Sequence, residues 1–266
     1  MRIALIGVGK MGEAVLSGLA AAGSHDLVVV NRRPERDAEL VERYGVTAAP
    51  LTEAVPGSDV VVVAVKPKDV PAMLDELSPS LGEDAVLVSL AAGLPIPVMR
   101  RHLPEQTAVA RVMPNTPSLV GRGMSVISVD ESVTDEQLGR VREVMAACGE
   151  VLVVPEGQQD AVTAVSGSGP AYIFAVAEAM IEAGVQLGLP REVATRLANQ
   201  TILGAGTMLT ESGEHPSILR ENVTSPGGTT AQALKVLDQR AVRAAFAEAM
   251  QACHDTSAAM GRAALG

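Results

Sequence analysis

Short β-branched runs alternate with longer amphipathic stretches through the first half of the chain. Ile3–Ile6, Leu27–Val30, Val60–Val65, Ala85–Ser89, Ala108–Met113, Met124–Val129 and Val151–Val154 read as strands, with helical spacing between them. Strands alternating with helices imply right-handed crossovers and a largely parallel sheet covered on both faces. After Glu156 the β-branched runs stop. Alanine-rich helical pattern takes over at Asp160–Val165, Pro170–Leu187, Arg191–Glu211, Ala231–Leu237 and Ala241–Met260, and Pro190 marks a helix start. The pattern predicts an α/β fold, a doubly wound sheet over residues 1–155 followed by an all-α region over residues 156–266.

That second region is almost free of aromatic side chains, so its helices approach closely but bury little area each. A helical domain completing its core by dimerisation is expected, with a self-sufficient monomeric bundle as the alternative. The whole chain has 266 residues and is 47% hydrophobic, enough for a sizeable core. Lysine and arginine total 21 against 31 acidic residues, a formal net charge of −10, which argues against a nucleic-acid surface and for a small-molecule partner. Cys148 and Cys253 lie far apart without metal-ligand spacing, and His25, His102, His215 and His254 form no metal pattern. We therefore expect packed cysteines in a reducing compartment, and no metal. The N-terminal stretch is broken by Lys10, Glu13 and glycines, unlike a signal peptide. The densest apolar run, Val60–Val65, is far shorter than the roughly 20 residues of a membrane helix. A cytoplasmic protein without membrane attachment is the expectation.

Chemistry enters at Ile6-Gly7-Val8-Gly9-Lys10-Met11-Gly12, a Gly-x-Gly-x-x-Gly that follows a strand and opens a helix. Gly7 suits a tight turn, Gly9 a close backbone approach to a pyrophosphate, and Gly12 close packing of helix on strand, while the helix N-terminus favours the anion. The sheet is therefore expected to be of the Rossmann type. About 20 residues on, where a carboxylate would grip the ribose of NAD, stands Asn31-Arg32-Arg33-Pro34. With no carboxylate at that point, Arg32 and Arg33 can neutralise a 2′-phosphate and Asn31 can hydrogen-bond it, so NADP(H) is preferred, with NAD(H) as the alternative. Ala64-Val65-Lys66-Pro67 and Ser89-Leu90-Ala91-Ala92-Gly93 lie at carboxyl ends of strands, where such sheets bind ligands. Lys66 either faces a phosphate or ribose or is an ordinary surface lysine.

In the second half, Asn222-Val-Thr-Ser225-Pro-Gly227-Gly228-Thr229-Thr230 precedes the helical pattern Ala231–Leu237. Its glycines can turn backbone N–H groups toward an anion, and Thr229 or Thr230 can cap the helix. Met113-Pro-Asn115-Thr-Pro117 follows the sixth strand; Asn115 positions backbone or substrate, or simply closes a turn. Ser166-Gly-Ser-Gly-Pro170-Ala-Tyr172 opens a long helix, with glycines for close approach, Pro170 in the first turn and hydroxyls available as caps.

These ordered segments, from Ile3 to Asp238, resemble the pyrroline-5-carboxylate reductases, which make proline by reducing a cyclic imine. The resemblance implies that NADPH reduces 1-pyrroline-5-carboxylate to L-proline, the last step of proline biosynthesis. It also implies Ala91 and Ala92 near the nicotinamide, and the substrate carboxylate on Ser225, Gly228, Thr229 and Thr230. Thr230 is then the catalytic residue beside the ring nitrogen, orienting the iminium or relaying a proton from water, with Tyr172 in reserve as an acid. Asn222 and Glu156 carry over as residues near the substrate. The resemblance further implies a homodimer through the helical domain, possible exchange of substrate domains between subunits, and a decamer of dimers. Two other readings share parts of this pattern. A β-hydroxyacid dehydrogenase needs a catalytic lysine in the helical half, where only Lys235 stands. A non-catalytic nucleotide sensor leaves the Ser225–Thr230 segment unexplained.

Overall fold

The chain alternates strand and helix as its hydrophobic pattern demands. In the computed structural model, which describes residues 1–265, the elements are β1 (Arg2–Ile6), α1 (Lys10–Ala22), β2 (Asp26–Val30), α2 (Pro34–Tyr44), β3 (Thr47–Ala48), α3 (Leu51–Ala54), β4 (Val60–Val63), α4 (Val70–Leu77), β5 (Val86–Ser89), α5 (Ile96–Arg100), β6 (Ala108–Met113), β7 (Gly123–Val129), α6 (Asp135–Ala146) and β8 (Gly149–Val153). These are followed by α7 (Gln159–Val162), a π-helical turn over Thr163–Gly167, α8 (Gly169–Gln186), α9 (Arg191–Glu211), α10 (Pro216–Asn222), α11 (Thr229–Gln239) and α12 (Val242–Leu265). The seven expected strands form within one or two residues of their predicted bounds. The two-residue β3 and the short α10 carry too few periodic positions to be legible in sequence.

Eight strands make one sheet in the order β3-β2-β1-β4-β5-β6-β7-β8, the doubly wound order with its reversal between β1 and β4. All pairs are parallel except β6 with β7, where Met113 lies opposite Val126. The link from Pro114 to Arg122 is shorter than the dozen or more residues of a parallel crossover, so the strand must turn back. Every side chain of Val60–Val63 is fully buried, because alternate residues feed two cores. One face packs Leu5 and Val62 against Val15, Leu16 and Leu19. The other packs Ile6 and Val63 against Leu74, Leu77 and Met99.

By compactness the chain forms two units, Met1–Ser168 together with the segment from Ala252 onward, and Gly169–Gln251. The second unit is helical. Gly184 of α8 leaves room for Ala194 of α9, whose Cβ would stand 3.1 Å from a side chain at 184. Ala194 and Ala198 are the buried side chains of α9, and α8 buries none. Phe174 of α8 and Leu197, Leu203 and Met208 of α9 are more than half exposed, so these helices keep an apolar surface that their own unit does not cover. Within Glu156–Gln186 an 18-residue window reaches a mean hydropathy of 1.2, long and apolar enough to cross a membrane by length and composition alone. The segment Ser166–Pro170 divides that stretch, since Ser168 is a bend between the π turn and α8.

Candidate active site

The reversal between β1 and β4 leaves a crevice of about 500 Å³ at the carboxyl ends of the strands. Gly7, Val8 and Gly9 form one wall, Asn31, Arg32 and Arg33 another, and Ala64, Val65 and Lys66 a third. Gly7 has φ +73°, and a Cβ there would lie 2.3 Å from Val65 Cγ1, so only glycine closes this turn. A Cβ on Gly12 would touch Ala64 Cβ at 3.0 Å, which seats α1 on the neighbouring strand. Gly9 is different: a Cβ there meets no chain atom within 4 Å and would project into open space at the start of α1. Ile6 is buried at the end of β1, Lys10 opens α1 exposed, and Met11 packs partly on the core. Pro67 begins a turn of 3-10 helix after Lys66.

Three residues of the crevice were not singled out from sequence: Arg36, Lys68 and Asp69. Arg36 donates from Nε to the Val8 carbonyl at 3.2 Å and pairs with Glu13 and Glu39, tying the glycine turn to α2. Burial alone would raise the Glu13 carboxyl, but Arg36, Tyr44 and Arg43 outweigh it and hold the group below the ordinary range. Asp69 comes within 3.4 Å of Arg32, and Asp37 accepts from Asn31 Nδ2 at 2.8 Å. Carboxylates therefore do stand near the end of β2, supplied by α2 and by the loop after β4 rather than by the strand end itself. Four cations, Arg32, Arg33, Lys66 and Lys68, line the crevice beside Asp69, while Arg36 is spent on Glu13 and Glu39. First-turn N–H groups of α1 that no side chain caps, the space where a Gly9 Cβ would go, and these cations fit a dinucleotide pyrophosphate with an added phosphate.

Ala92 lines a second cavity of the same unit, about 410 Å³, with Gly93, Thr163, Ser168, Cys253 and Met260. Ala91, its neighbour, is buried. Cys253 lies half-buried with Sγ 3.2 Å from Ser168 Oγ. Cys148 sits in the core, where burial pushes its thiol up. Glu156 accepts from the Ile96 backbone N–H at 2.6 Å and pairs with the buried Arg111 of β6 at 3.4 Å. Its carboxylate thus braces the loop that follows Ala91–Gly93.

In the helical unit, Gly227 has φ +71° and the Gly228 N–H donates to the Ser225 carbonyl at 3.0 Å. Gly228, not Thr229 or Thr230, occupies the cap of α11, and no side chain caps it. Both threonines belong to the first helical turn. A glycine cap satisfies none of the first-turn N–H groups, which leaves them to a ligand. Thr230 is half-buried, while Ser225 and Thr229 are exposed. Asn222 ends α10 and donates to Glu214 at 3.3 Å. Tyr172 packs edge to face on Phe246, ring centroids 6.4 Å apart. The hydroxyls of Ser166 and Ser168 cap nothing, since Ser166 Oγ donates to the Val162 carbonyl and Ser168 Oγ faces Cys253.

A doubly wound sheet with a glycine turn at its switch point defines a dinucleotide-dependent oxidoreductase of the Rossmann type. Residues 156–260 match the model described as pyrroline-5-carboxylate reductase dimerisation, and residues 2–93 match one described as NADP oxidoreductase coenzyme F420-dependent. A pyrroline-5-carboxylate reductase of Corynebacterium melassecola is 46% identical, with 98% of each chain covered. The structure of a reductase of that name from Coxiella burnetii superposes with TM-score 0.93 at 37% identity, over 97% of this chain and 98% of the other. A Plasmodium falciparum pyrroline carboxylate reductase with NADP bound gives 0.86 at 30% identity, over 98% of each. The chain belongs to the pyrroline-5-carboxylate reductase family, an NAD(P)-dependent oxidoreductase family with a dimerisation domain.

Proposed function

We propose that the chain reduces the C=N bond of 1-pyrroline-5-carboxylate to L-proline, with NADPH preferred over NADH. The observation that carries this reading is the glycine-capped start of α11, whose first-turn N–H groups no side chain satisfies, in a member of this family. The carboxylate rests on the N–H groups of Thr229 and Thr230 and on the Ser225 hydroxyl, with Gly228 giving the close approach and Asn222 nearby. Bound NADPH supplies the hydride that the imine carbon accepts. Gly7–Gly12 hold its pyrophosphate, Arg32, Arg33 and Lys66 its added phosphate and ribose, and Ala91 and Ala92 border its reactive end. The half-buried Thr230 orients the protonated ring nitrogen or passes it a proton from water; a threonine hydroxyl is too weak an acid to do so unaided. Glu156 acts through the loop it braces rather than by touching substrate, a reading supported by its bonds to Ile96 and Arg111.

Residues 1–155 serve as the nucleotide domain and 156–266 as the substrate and dimerisation domain. We read the assembly as a homodimer through the helical domain, built up into a decamer of dimers, acting in the cytoplasm. The uncovered apolar side chains of α8 and α9 support the dimer, and with it an explanation of Glu156–Gln186 that needs no membrane.

The test is NADPH and NADH oxidation with 1-pyrroline-5-carboxylate, followed by near-ultraviolet absorbance with proline as measured product. Rapid turnover favouring NADPH is expected; nucleotide binding without turnover defeats the reading. Thr230→Ala is expected to lower turnover more than tenfold, and a change of only a few-fold removes Thr230 from its role.

A further inference from the structure

Two motifs stand outside the reaction just described, Met113–Pro117 and Ser166–Pro170, and the structure joins them. Asn115 is 9% exposed and uses both ends of its amide on backbone. Nδ2 donates to the Ser166 carbonyl at 3.1 Å, and Oδ1 accepts from the Met124 N–H at 2.9 Å. Ser166 lies in the π turn Thr163–Gly167, closed by the Ser168 N–H on the Thr163 carbonyl at 2.8 Å. Its carbonyl would ordinarily accept from residue 170, but Pro170 has no N–H. An orphaned carbonyl in a part-buried turn needs another donor, and Asn115 is that donor. Met113 presses on the same turn from beside it, its Cε standing 2.5 Å from where a Gly167 Cβ would be. Wide turns of this kind recur at functional sites. Here the turn presents Thr163 and Ser168 to the 410 Å³ cavity walled by Ala92 and Gly93.

We propose that Asn115 is a positioning residue for imine reduction: by holding the Ser166 carbonyl it sets Thr163 and Ser168 against the Ala92–Gly93 wall. This rests on the reading that Ala92 borders the reactive end of the nucleotide. The glycine cradle and Asn31–Arg33 line a different cavity, so the role separates from nucleotide affinity.

The test compares Asn115→Asp and Asn115→Ala with wild type in the whole chain. Asn115→Asp keeps the shape and the bond from Met124 but sets a carboxylate oxygen against the Ser166 carbonyl. Asn115→Ala removes both bonds and leaves the Ser166 carbonyl without its side-chain donor. Both are expected to lower kcat at least tenfold while the NADPH Kd stays within twofold. A kcat within twofold of wild type, or a loss of NADPH affinity parallel to the loss of kcat, overturns the proposal. Should circular dichroism show Asn115→Asp unfolded, Asn115→Ala decides by the same criteria. Alkylation of Cys253 gives a readout that needs no turnover, since its sulfur faces Ser168 and Cys148 is buried. A rate change of at least threefold in the variants is expected, and an unchanged rate counts against the role. Absent turnover in wild type strikes the functional reading instead, and the alkylation rate then decides the positioning role alone.

Discussion

Gly9 separates nucleotide binding from folding more cleanly than any other residue of the crevice. Its backbone is extended, φ −83° and ψ −160°, which alanine adopts without strain, and a Cβ there meets nothing within 4 Å. Two small effects on stability oppose each other in Gly9→Ala. Reduced freedom of the unfolded chain stabilises by about 0.4–1 kcal/mol, and alanine at a helix cap costs about the same relative to glycine. The net change should lie within about 1 kcal/mol of zero. Binding should suffer instead. The added methyl occupies the approach of the pyrophosphate to the N-terminal turn of α1, and each charge-assisted bond lost costs about 1.5–3 kcal/mol, roughly ten- to a hundredfold in Kd. Gly7→Ala makes the control, because φ +73° costs a non-glycine residue about 1–2 kcal/mol and the overlap with Val65 Cγ1 about 1–3 more. Thermal unfolding by circular dichroism and NADPH titration by fluorescence measure the two quantities. If Gly9→Ala binds NADPH within twofold of wild type, the pyrophosphate does not lie at Gly9. A Tm drop like that of Gly7→Ala refutes the open-space reading.

Three further outcomes follow from the packing. Glu156→Ala should destabilise by about 2–4 kcal/mol, because Arg111 is left buried and uncompensated and the Ile96 N–H unpaired; replacing Arg111 by Met and Glu156 by Leu together should restore most of it, as urea unfolding would show. The Glu13 carboxyl is held below its unfolded value, so its contribution is present above about pH 4.3 and is lost as pH falls through the lowered value. Arg36→Met removes the strongest of the groups that lower it and should flatten the fall in urea midpoint between about pH 5 and 3; an unchanged slope would show that Arg43 and Tyr44 suffice. Phe174→Glu on the exposed face of α8 should shift the protein to a smaller species in analytical ultracentrifugation, and an unchanged mass would place the subunit interface elsewhere.

Much of this molecule is local and therefore legible. Strands buried on both faces declare themselves as apolar runs, and a glycine turn between strand and helix has one physical use at the switch point of a sheet. The Gly7–Gly12 cradle, the Asn31–Arg33 wall and the change to helices after Glu156 all rest on residues within one turn or one element of each other. What sequence could not order is what distant segments bring together. Arg36 closes onto the Val8 carbonyl, and Asp69 reaches Arg32 from the loop after β4, because the sheet order sets β4 beside β1. β7 runs antiparallel because its connection is too short to cross over. A threonine cap looked natural before α11, yet Gly228 holds that position, since a cap that makes no side-chain bond keeps the helix start open to an anion. Asn115 could have met substrate or backbone; the carbonyl that Pro170 leaves without a donor decided for backbone. Sequence by itself determined which elements form and which chemistry they carry, because propensity and hydrophobic period act over neighbouring residues. Tertiary structure alone decided which of those polar groups are already spent on each other and which remain for a ligand, because hydrogen bonds are allotted by distance in space.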